Sequence, residues 1–118
     1  MSSPLEEQAL ATELYAIAQT AAARHGRTFK PIAEAELLRL TQAAAAETLS
    51  PSRFGSVSTA KASLGVDGRR QEAREAVVKL VQSMVTEAAT IPGYSADLLG
   101  EQTLGRAFSR FCPCWPFC

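Results

Sequence analysis

Apolar positions recur along most of this chain at spacings of three and four, the period that lines side chains up on one face of a helix. In the first such run Leu10, Leu14, Ile17 and Ala21 share a face, with Glu13 and Gln19 opposite and Tyr15 near the boundary. Ser3, Pro4 and Glu6 supply an N-cap, a first-turn proline and the acidic partner of an S-x-x-E capping box. Gly26, preceded by Arg24 and His25, is a C-terminal stop. A second helix is predicted from Pro31 to about Thr48 on the stripe Ala33, Leu37, Leu40 and Ala44, with Thr28 the nearest capping candidate. Its run Ala43-Ala44-Ala45-Ala46 costs little side-chain entropy and leaves a flat surface for close packing, and Leu49-Ser50-Pro51 ends it.

The third helix has the strongest pattern. From just after Asp67 to about Thr90, Ala73, Val77, Leu80, Met84, Ala88 and Ile91 form one stripe, and Val78, Val81 and Val85 widen it. An apolar surface that broad predicts a central helix covered from two sides. Ile91-Pro92-Gly93 stops it. A fourth helix is predicted to start at Ser95 with Asp97 in its first turn and Leu98, Leu99 and Leu104 as its packing face. Gly100 and Gly105 weaken that helix, each by roughly 1 kcal/mol relative to alanine. Residues 50–68 are rich in serine and glycine and read as a mobile or partly helical connection, with one short helix around Ser58 to Leu64. The expected fold class is all-α: a small antiparallel bundle of about four helices over residues 1–110, then a non-helical Cys/Pro/aromatic tail over residues 111–118.

Composition removes several functions. The 118 residues carry 12 basic and 12 acidic side chains, so the net charge is zero and no large positive field attracts nucleic acid. No uninterrupted apolar run has the length needed to span a bilayer, and the first residues are acidic where a secretory signal is basic, so the expected location is cytoplasmic. Gly65-Val66-Asp67-Gly68 lacks the lysine of a phosphate-binding loop. Glu13, Glu47 and Glu87 are isolated carboxylates without the Glu-x-x-His elements of a helical metal centre. His25 is the only histidine and reads as a polar residue at a helix end. No enzyme is expected.

The chemistry concentrates in the tail. Phe111-Cys112-Pro113-Cys114-Trp115-Pro116-Phe117-Cys118 holds all three cysteines and the only tryptophan. Thiolates are nucleophiles and soft metal ligands, so Cys112, Cys114 and Cys118 are candidates for covalent modification or, in an alternative reading, for Cu(I) or part of a zinc site. Phe111, Trp115 and Phe117 are candidates for recognition of the tail by a partner. Beside Arg106 and Arg110 the same segment suits an S-acylated membrane anchor. Folded back, its aromatic side chains cover a small core and the cysteines act as small hydrophobes.

In its general layout, a helical region followed by a short C-terminal segment rich in Cys, aromatic residues and Pro, the chain resembles the precursors of ribosomally made, enzymatically modified peptides. That resemblance implies a modifying enzyme as partner, holding the first hundred or so residues while chemistry occurs on Cys112, Cys114 and Cys118. It carries no family motif, and the double-glycine cleavage signal of many such leaders is absent. The leading expectation is therefore a precursor or carrier protein. The alternatives are a helical protein-binding adaptor with an acylated or packed tail, and a thiolate metal-binding protein.

Overall fold

The computed structural model describes residues 4–50, 65–94, 97–111 and 115–117. Among these the chain forms four helices and two very short strands. Helix α1 is Pro4–Arg24, α2 is Pro31–Leu49, α3 is Gly65–Thr90 and α4 is Glu101–Phe108; β1 is Thr28–Phe29 and β2 is Leu98–Leu99. The expected Ser3 cap and the short helix around Ser58 to Leu64 lie outside the described residues.

The predicted stripes form the core. Leu10, Leu14 and Ala21 of α1, Ala33, Leu37 and Ala44 of α2, and Ala73, Val77, Leu80, Met84 and Ala88 of α3 are all buried. Ala11, Ala18, Ala22 and Ala45 join them, because alanine at a contact lets two helices approach closely. Three stripe residues behave differently: Ile17 and Leu40 are only half-buried at the margin of the core, and Ile91, just past α3, is half-buried. Val81 is fully covered, whereas Val78 and Val85 on either side of it are half-buried.

Helix ends follow local chemistry. Gly26, at φ 68°, takes the left-handed conformation that closes α1. The Arg27 N–H then donates to the Ala22 carbonyl and the Gly26 N–H to Ala23, both at 2.9 Å, the paired bonds of a Schellman motif. Pro31 occupies the first turn of α2, and Lys30 in extended conformation precedes it without a side-chain cap. Thr28, expected as a cap, instead lies in β1.

The fourth helix departs from expectation. It starts at Glu101 rather than Ser95, and Leu98 and Leu99 form β2 instead of a helical packing face. β2 pairs in parallel with β1, Thr28 opposite Leu98 and Phe29 opposite Leu99. The Lys30 N–H donates to the Leu99 carbonyl at 2.8 Å and the Thr28 N–H to the Asp97 carbonyl at 3.0 Å. These tertiary hydrogen bonds override the local helix signal of Asp97 and the leucines, and they make the chain nearly all-α rather than strictly so.

Gly100 is the N-cap of α4 and not a flaw within it. Its N–H reaches the Tyr94 hydroxyl at 2.6 Å and Thr103 Oγ1 at 3.1 Å, and the Thr103 hydroxyl donates back to the Gly100 carbonyl at 2.8 Å. Lys30 lies over the Tyr94 ring, 5.0 Å from its centroid. A Cβ at position 100 would fall 2.7 Å from the Tyr94 hydroxyl and 3.0 Å from the Lys30 side chain.

Two contacts join elements distant in the chain. β1, which follows α1, pairs with β2, which lies between α3 and α4. The buried Arg69 of α3 donates from Nε to the Thr48 carbonyl in the last turn of α2, at 2.9 Å, supplying a partner to a helix-end carbonyl. No helix among the described residues is long and apolar enough to cross a membrane.

Gly100→Ala should therefore destabilise the protein by about 1–3 kcal/mol, the usual cost of forcing a methyl group into a filled site. Thermal unfolding followed by circular dichroism measures this. An unchanged midpoint would show that Tyr94 and Lys30 do not close on Gly100.

Candidate functional site

Two surfaces stand out, the seat of the tail and a groove between α1 and α3. After α4 the chain turns, with the Arg110 N–H donating to Ala107 and the Phe111 N–H to Phe108. Arg110 lies beside Glu87 of α3, and Trp115 and Pro116 lie beside Glu72 and Ala76, nearer the start of the same helix. Phe108, Phe111 and Trp115 make a ring cluster. The Phe108 and Trp115 centroids are 5.5 Å apart at 71°, and Phe111 lies 6.4 Å from Phe108 and 6.3 Å from Trp115. Edge-to-face pairs of this kind add about 0.5–1.5 kcal/mol beyond burial.

Of the residues predicted for the tail, Phe111 and Trp115 are half-buried against the core and Phe117 is 2% exposed. Pro116 is buried as well. The Trp115 indole N–H is buried without an acceptor among the described residues. Cys112, Cys114 and Cys118 lie outside the described residues. Among those described, no group of three His, Cys, Asp or Glu side chains is placed to hold a metal ion. His25 is exposed at the end of α1.

Periodicity did not foresee the charges that hold the tail. Glu87 is 4% exposed, and the Arg110 guanidinium lies 2.5 Å from its carboxylate. The contact is an ion pair without good hydrogen-bond alignment. Arg110 itself is largely exposed, so solvent screens the pair from one side. Glu13, another of the isolated carboxylates, is bound by Arg74 Nε of α3 at 2.7 Å. Spacing within a helix says nothing about a partner tens of residues away.

The groove has a volume of about 650 Å³. Ala16, Ile17 and Ala21 of α1 and Val78 of α3 give it an apolar floor, and Glu13, Arg24, Arg74, Glu75 and Lys79 stand around it. The Glu13–Arg74 pair cancels one charge of each sign. Glu75 accepts a hydrogen bond from Gln71 at 3.3 Å. Ile17 and Val78, both expected in the core, are half-buried because they line this groove.

Phe117→Ala should cost about 3–5 kcal/mol, the range for emptying a buried aromatic site. Arg110→Ala should cost about 1–3 kcal/mol by leaving the Glu87 carboxylate buried without its cation, while Glu87→Gln, which removes the charge itself, should cost less. Urea titrations of the three variants give this order. Equal losses for Arg110→Ala and Glu87→Gln would mean that charge compensation is not what Arg110 supplies.

Comparison with known proteins yields no match: no protein-family model, no curated protein and no solved structure corresponds significantly to the chain.

Proposed function

We propose that this chain is a non-enzymatic helical binding module whose aromatic tail completes its own fold. The observation that carries the reading is the burial of Phe117, together with the packing of Trp115 on Phe108. Side chains that a membrane anchor places in lipid, or that a free recognition tag presents to an enzyme, are here buried or packed on one another. What remains for a partner is the outer surface of the bundle. There an open groove with an apolar floor and a charged rim has the character of a protein-binding surface. An antiparallel order of α1, α2 and α3 fits this reading, because the short connection between α1 and α2 favours it and Arg69 joins the start of α3 to the end of α2.

The precursor or carrier reading is kept as the second, on the observation that all three cysteines are interleaved with the seated aromatic residues. In that reading a modifying enzyme must first free Phe111 and Trp115 from the ring cluster and Phe117 from its buried site. The cost is that of exposing the Phe117 site and the ring cluster, on the order of several kcal/mol. The thiolate reading, with Cu(I) or zinc, rests on the same cysteines, and among the described residues no group of three His, Cys, Asp or Glu side chains could hold a metal ion.

Intact and top-down mass spectrometry of the protein from its native cells, prepared without reducing agent, separates these readings. The expected result is an unmodified mass with three free thiols. A mass loss or truncation confined to residues 106–118 would overturn the binding-module reading in favour of a precursor. A large acyl increment would overturn it in favour of an anchor.

A further inference from the structure

The groove between α1 and α3 leaves Ile17 of α1 and Val78 of α3, both expected in the core, half-open. Elsewhere α1, α2 and α4 pack against α3. The groove's lining runs on α1 from Glu13 to Arg24 and on α3 from Gln71 to Gln82, about three helical turns on each wall. Both walls are helices whose backbone hydrogen bonds are internal, so neither offers an edge to an added strand. The residues between the walls are short: Ala16, Thr20 and Ala21 on one side and Val78 on the other. That shape admits a third cylinder at close range.

Charge narrows the choice of occupant. At one end the Glu13–Arg74 pair is self-neutralised at 2.7 Å. Arg24 and Lys79 also border the groove, and neither has an ion pair or side-chain hydrogen bond among the described residues. The only other carboxylate on the lining, Glu75, is engaged by Gln71. Gln71 is a neutral partner and Glu75 keeps its charge, so the lining carries three cations against two carboxylates, and the groove offers an apolar floor with one net positive charge.

We propose that this groove is a docking site for an amphipathic α-helix of a partner protein, one that lays its apolar face on Ile17 and Val78 and sets acidic side chains against Arg24 and Lys79. The proposal rests on the binding-module reading and names the partner that such a module takes. Carboxylates on the rim add modest affinity each, but they select against basic helices, since like charges across an interface are strongly disfavoured.

The test uses the full chain and two synthetic helical peptides of about four turns, with the same leucine and alanine face and with either glutamate or lysine on the flanks. Fluorescence anisotropy of labelled peptides reads binding. The glutamate peptide should bind roughly tenfold more tightly than the lysine peptide at low salt, with the preference shrinking at high salt. The double variant Arg24→Glu/Lys79→Glu should reverse that preference. Thr20→Trp, which fills the groove from an exposed position, should abolish binding of both peptides without lowering the melting temperature. Arg39→Glu, outside the groove, should change nothing.

Each other outcome overturns the proposal in a distinguishable way. If both peptides bind equally and Thr20→Trp removes both, the acidic assignment fails and the binding-module reading stands. If neither peptide binds, the docking site fails; a modified tail in cell-derived protein then brings down the module reading as well. If sedimentation shows a dimer that Thr20→Trp converts to monomer, the occupant is a second copy of this chain and not a foreign helix.

Discussion

Helix α3 carries Ala73, Ala76, Val77, Leu80, Val81, Met84 and Ala88 in the buried interior, an arc too wide for one neighbouring helix to seal. Water must be kept from this surface, and every other element is placed by that requirement. α1 and α2 cover part of it with alanine-rich faces that approach closely. α4 and the ring cluster cover another part, with Leu104 and Ala107 continuing into Phe108, Phe111 and Trp115. A chain of this size has little core to spare, so the burial of Phe117 and the packing of Phe111 and Trp115 matter to it.

Covering α3 from several directions brings its polar residues into contact with elements far away in sequence. Arg69 reaches the end of α2, Arg74 binds Glu13 of α1 and Glu87 holds Arg110 at the start of the tail. These contacts follow the length of the helix, and they make α3 both the hydrophobic centre and the electrostatic spine. Coverage is incomplete beside the Glu13–Arg74 pair, where the groove lies over Ile17 and Val78.

Function is proposed from how these surfaces are divided. The tail carries the most reactive residue types, yet its described side chains face inward and serve the fold. The bundle exterior looks plain in composition, yet its geometry leaves an apolar groove bordered by Arg24 and Lys79. Burial and residual charge shift attention from the segment with unusual chemistry to the surface with unsatisfied contacts.

Three long helices and most of the core were legible in the sequence, because apolar periodicity, Pro31, Gly26 and the Pro92-Gly93 stop act within a few residues of chain. The region after Gly93 was not, since Asp97, Leu98 and Leu99 satisfy helix rules locally. Their structure is set by hydrogen bonds to Thr28 and Lys30, roughly seventy residues earlier. Gly100 likewise reads as a weak helix residue alone and as a required close approach once Tyr94 and Lys30 surround it. The sequence by itself determined which faces must be buried. Which of them pack together, which charges meet and where coverage stops were decided only by tertiary structure, because those are relations between residues that no local period connects.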